Sequence, residues 1–184
     1  MGASNPGAPW GPMLVRSAVA AVYGVLTIFW QEPTEPVLVV AGGTYLLLTG
    51  VALWPMLAAA RDHGRVRAVL LVEAAAYVLA GAATLIFASA EAFRVAAAAA
   101  LILGGVLEIL LWVRNRGSFL PARDWLITGA AALTAGILVP VVYELGVRAL
   151  LGVTGGAAII TAVIVVISAL GARHDSRAAT AGRA

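Results

Sequence analysis

The chain has no cysteine and no lysine, and only 11% of its residues carry a charge. The absent thiols remove disulfides, thiolate metal sites and cysteine nucleophiles together. A soluble domain carries about 25% charged residues, so water is the wrong solvent for most of this chain. Only two histidines are present. All twelve basic residues are therefore arginine, and they lie in short clusters between apolar stretches rather than along one face. That distribution argues for membrane topology and against nucleic-acid binding, despite an isoelectric point near 10.0.

What fills the chain instead is apolar: 62% of its 184 residues are hydrophobic. Crossing roughly 30 Å of hydrocarbon takes about 20 apolar residues as helix, with every backbone polar group satisfied internally. Six segments meet that requirement: Met13 to Trp30, Val37 to Ala60, Ala68 to Phe87, Phe93 to Val113, Trp125 to Val142 and Val147 to Leu170. The expected architecture is all-α, a polytopic six-helix transmembrane bundle. Residues 1–12 are expected to form a flexible N-terminal tail, 13–170 the membrane domain, and 171–184 a flexible arginine-containing C-terminal tail. The first apolar segment runs on without a small-residue exit, so it reads as a first membrane helix rather than a cleaved signal.

Charge orients these spans. The turns after the first, third and fifth spans hold Glu32, Glu35, Glu91 and Glu144 beside Arg94 and Arg148. The opposite side holds Arg16, Arg61, Arg65, Arg67, Arg114, Arg116, Arg123, Arg173, Arg177 and Arg183, ten arginines against two. Arginine-rich short loops stay cytoplasmic, which predicts both termini inside. Trp10, Trp30, Trp54, Trp112 and Trp125 all fall near span ends, where an amphipathic ring suits the interface.

The spans also repeat. Outgoing helices share Gly24-Val-Leu-Thr-Ile-Phe, Gly81-Ala-Ala-Thr-Leu-Ile-Phe and Gly136-Ile-Leu-Val-Pro. Returning helices share Leu46-Leu-Leu-Thr-Gly-Val, Leu101-Ile-Leu-Gly-Gly-Val and Ala158-Ile-Ile-Thr-Ala-Val. One helical hairpin written three times is the expected plan. With the stretches Trp125-Leu-Ile-Thr-Gly through Pro140 and Gly104-Gly-Val-Leu-Glu-Ile through Arg114, this pattern resembles the HdeD-like acid-resistance membrane proteins. These are bacterial six-helix proteins built of such hairpins. The resemblance implies a non-enzymatic protein of the bacterial inner membrane with a role in acid or envelope stress. It carries over no catalytic residue.

Three ionisable side chains fall inside spans: Glu73, Glu108 and, at a similar level on the first helix, Arg16. A charge at the bilayer centre costs about 2.5 to 3.5 kcal/mol on insertion scales, so such groups turn toward protein or water. They read either as a structural ion cluster with Glu73 paired to Arg16, as carboxyls kept neutral by burial, as a proton-responsive carboxyl pair, or as side chains reaching for the headgroups. Gly42, Gly43, Gly104, Gly105, Gly152, Gly155 and Gly156 read as helix-packing positions, because small residues let backbones approach where lipid gives no hydrophobic drive. Thr27, Thr49, Thr84, Thr128, Thr134 and Thr161 are expected to bond to carbonyls or bridge helices. His63 and His174 lack a second histidine at metal-ligand spacing, so no metal or cofactor is expected. The alternatives to a stress protein are a small proton or solute transporter using Glu73 and Glu108, or an accessory subunit of a membrane complex. The expected partners are the lipid bilayer and either a second copy or another membrane protein.

Overall fold

A computed structural model describes residues 10–61, 63–115 and 122–181. Residues 1–9 of the expected N-terminal tail, Asp62, Arg116 and Arg183 lie outside them, as do the side chains of Arg123, Asp175 and Arg177. The described chain is helical, with six helices long and apolar enough to cross a membrane. We label them α1 (Trp10–Phe29), α2 (Glu35–Ala59), α3 (Gly64–Phe87), α4 (Ala90–Arg114), α5 (Ala122–Val141) and α6 (Val147–Ala181).

Local chemistry sets the boundaries. Pro36 sits in the first turn of α2, where its missing N–H costs nothing. Pro55 interrupts the same helix: the chain tightens at Leu53, whose N–H reaches Gly50 O three residues back at 3.3 Å. Between these points residues Leu38–Gly42 form one π-helical turn. At the other end of that turn Gly42 and Gly43 leave space that the Phe93 ring and the Leu85 and Thr84 side chains occupy. Helix α3 ends on Ala88 in the left-handed region (φ 48°), and Ser89 Oγ caps α4 by accepting from Ala92 N–H at 3.1 Å. Two departures from expectation appear at the ends. Helix begins at Trp10, inside the expected N-terminal tail, and α6 continues through residues 171–181, where a flexible tail was expected. Arg173 lies over the Trp10 ring, 5.3 Å from its centroid, which ties α6 to the start of α1.

The six helices close into a ring in which α1 packs on α6. The most extensive interfaces are α4 with α5, α1 with α6, and α2 with α3, while the hairpin pairs read from the sequence, α1–α2, α3–α4 and α5–α6, are looser. Glycine explains the close set. A methyl group on Gly105 would lie 2.6 Å from Gly129 O, one on Gly136 2.8 Å from Ile102 N, and one on Gly50 2.6 Å from Ala74 O. Gly81 likewise lies against the backbone of Leu47 and Gly43, and Gly24 against Ile159 and Gly155. Backbone therefore meets backbone at all three interfaces, which gains dispersion contact that a side chain would prevent.

Of the glycines expected to pack, Gly42, Gly43, Gly104, Gly105 and Gly155 do so, against Phe93, Leu85, Tyr77, the α5 backbone and Thr27 respectively. Gly152 and Gly156 correct the expectation. Both are exposed and a methyl on either would meet nothing within 4 Å, because they project from α6 away from α1 and α5. Trp125 is a second correction: it is buried to 1% exposure in the core rather than standing at an interface, whereas Trp10, Trp30 and Trp54 are exposed.

Candidate functional site: a buried ion cluster at the bundle centre

The odd-numbered helices carry interface glycines at matching places, Gly24, Gly81 and Gly136. Eight residues before each stands a buried polar side chain: Arg16, Glu73 and Thr128. Eight residues are just over two helical turns, so each polar group shares the inward side of its helix with its glycine. Similar packing of the three helices brings the three side chains to one level at the centre.

Glu108 enters from α4 and completes the group. Arg16 donates an Nη2–H to Glu108 Oε1, and Thr128 Oγ1 donates to Glu108 Oε2 at 2.6 Å while lying 3.0 Å from Asp124 O. Glu73 stands second to Arg16, with Nη2 to Oε1 at 4.0 Å. Arg16 is 7% exposed, Glu108 1% and Glu73 0%. Removing one partner of a buried pair strands the other charge, at about 3–5 kcal/mol, where no second counterion stands by. The cluster thereby joins α1, α3, α4 and α5. Sequence reasoning placed Arg16, Glu73 and Glu108 at one depth, and the structure brings all three together. It had treated Thr128 only as one hydroxyl among six. Two of the other threonines bond to their own helix, Thr27 to Gly24 O at 2.8 Å and Thr84 to Ala80 O at 2.9 Å. Thr154, which the sequence did not single out, bridges helices: it meets the Tyr23 hydroxyl at 2.7 Å.

Beside Arg16 lies a small enclosed space of about 10 Å³, bordered by Tyr45, Thr49, Tyr77, Thr128 and Thr161. That is close to the minimum for one water molecule. Tyr45 is also one wall of a much larger groove, about 690 Å³, that opens between α1 and α2. Tyr23 and Tyr45 stack there with centroids 4.1 Å apart and planes 4° from parallel. One aromatic layer thus separates the apolar groove from the polar centre.

The face with the acidic turns is stitched separately. Glu35 Oε1 accepts from Ala90 N–H at 2.6 Å, joining the starts of α2 and α4. Arg94 Nε donates to Glu91 Oε2 at 2.9 Å while its guanidinium lies 4.9 Å from the Tyr143 ring centre. His63 and His174 are exposed on their helices' arginine-rich side. Among the described residues no three His, Asp or Glu side chains converge as a metal site.

Comparison with known proteins adds one finding. Residues 15–86 match DUF308, described as a short repeat of unknown function. The segment runs from α1 through nearly all of α3, and this is the repeat family in which HdeD-like proteins fall. No curated protein and no solved structure matches the chain.

Proposed function

We propose that this is a small non-enzymatic protein of the bacterial inner membrane, of the HdeD-like type, that acts in acid or envelope stress tolerance. The observation that carries the reading is the DUF308 match over residues 15–86 in a chain of six apolar helices. The motifs shared by α1, α3 and α5, with glycine packing recurring at three interfaces, support an origin in one unit used three times. In this reading both termini face the cytoplasm, following the ten-to-two arginine asymmetry. The protein works through association with a second copy or with another membrane protein. Survival after acid challenge tests it: cells lacking the gene should die faster than the complemented strain, and equal survival under acid and envelope stress sinks the proposal.

The buried Arg16, Glu73 and Glu108 group favours a second reading, a proton or solute carrier, since ionisable groups inside a membrane bundle commonly mark transport paths. Flux measured in proteoliposomes decides it. Unchanged flux in the Glu73→Gln, Glu108→Gln double variant removes the carboxyls from any transport role.

A further inference from the structure

We propose that the bundle centre is a binding site for a single proton and that Glu73 is the residue that takes it. The inference rests on neither functional reading, because a proton can reside here whether or not it is passed on.

The two carboxyls have unequal surroundings. Both Glu108 oxygens receive a donor, one from Arg16 and one from the Thr128 hydroxyl, which is the setting a carboxylate requires. Neither Glu73 oxygen accepts a hydrogen bond among the described residues, although the side chain is 0% exposed. Among the described residues its one ion-pair partner is Arg16, which stands 4.0 Å away and is already engaged by Glu108.

Charge balance points the same way. Arginine keeps its proton in proteins, so two ionised carboxylates around Arg16 would leave one uncompensated negative charge in a dry interior, which is strongly unfavourable. Among the described residues, the other groups facing this region do not supply the missing positive charge. They are the phenols of Tyr45 on α2 and Tyr77 on α3, and the hydroxyls of Thr128 on α5 and Thr161 on α6. Asp124, in the first turn of α5, borders Arg16 from the arginine-rich side and is partly exposed. It adds negative charge, not positive. One proton on a Glu73 oxygen converts the carboxylate to a carboxylic acid and leaves Arg16 and Glu108 as a neutral pair. The space beside Arg16 is too small for more than about one water, which favours a proton over a hydrated cation.

The site also predicts an exchange of roles. When Glu108 loses its charge, Glu73 releases its proton and becomes the counterion of Arg16. The test uses the full-length protein in lipid, with two readouts. Infrared difference spectra at neutral pH should show a carboxylic-acid carbonyl band in the wild type that is lost in Glu73→Gln. A wild type without that band, or a band that survives Glu73→Gln, overturns the proposal. In thermal unfolding, Glu73→Gln and Glu108→Gln should each be tolerated, because each leaves Arg16 one counterion. The double variant, which leaves none, should lose far more than the sum of the two single shifts. Additive shifts overturn the exchange.

Discussion

Gly105 and Gly156 are the same residue type in successive returning helices, yet the structure asks opposite things of them. A methyl at Gly105 runs into the Gly129 carbonyl and the Leu133 amide, both backbone that cannot step aside without separating α4 from α5. A methyl at Gly156 meets nothing. We therefore expect Gly105→Ala to lower the unfolding midpoint in mild detergent. Gly156→Ala should leave it unchanged or raise it, since alanine is favoured over glycine in a helix interior by about 1 kcal/mol. The reverse order would show that α6 buries its glycines and that the ring is wrongly closed. From sequence alone the two were indistinguishable, because a glycine carries no side chain whose polarity could reveal which way it points. Arg16, Glu73 and Glu108 were legible for the opposite reason: a charge within an apolar span has few places to go, and equal depth on adjacent helices limits them further. Which carboxyl holds Arg16 was not legible: the sequence suggested Glu73, and the structure gives Arg16 to Glu108. That depends on Thr128, whose role follows only from how α5 sits against α4.

The individual helices follow from composition, and their ends from short-range chemistry at Pro36, Pro55 and Ser89. Ala88 is the one non-glycine residue with positive φ among the described residues, closing α3 before the turn. Left-handed backbone costs an alanine about 1–2 kcal/mol that glycine does not bear. Ala88→Gly is therefore expected to stabilise the protein by roughly 1 kcal/mol, read as a higher unfolding midpoint with unchanged helix content. A lower midpoint would mean that the turn does not hold this conformation. The π turn of Leu38–Gly42 and the continuation of α6 to Ala181 escaped the sequence reading. The first needs the Phe93 ring opposite Gly42 to make sense, and apolar periodicity has nothing to say about the second once the charged residues begin. The hairpin motif was legible as a pattern along the chain, but the closest packing joins α3 and α5 each to the returning helix before it, and α1 to the last one. Sequence adjacency does not decide which of a helix's two neighbours it will touch more closely.

For the whole molecule, the sidedness of the loops is the property that composition speaks to most directly. The cysteine-free chain allows a direct check, because any introduced thiol is the sole reactive one. With both termini inside, single cysteines replacing Gln31 or Glu144 should react with an impermeant thiol reagent added to intact cells. Those replacing Arg65 or Ser176 should react only after the membrane is opened. The reverse labelling pattern would invert the protein. Six crossings were readable because each span is long, apolar and bounded by charge or proline. Closure of the ring was not, since nothing in a linear sequence announces that its first and last helices are neighbours.

That closure has a consequence for synthesis. Helix α1 emerges before α6, yet Gly24 packs most closely on Gly155 and Ile159 of α6. Until the final helix is inserted, the first must wait with that glycine face against lipid, held in the meantime by Arg16 once Glu108 of the fourth helix arrives. An ion pair formed two helices before completion would act as a temporary clasp on a nascent, still open bundle. A chain truncated before α6 should then keep its clasp and lack its lock, a half-built state that membrane quality control could recognise by its exposed glycine seam.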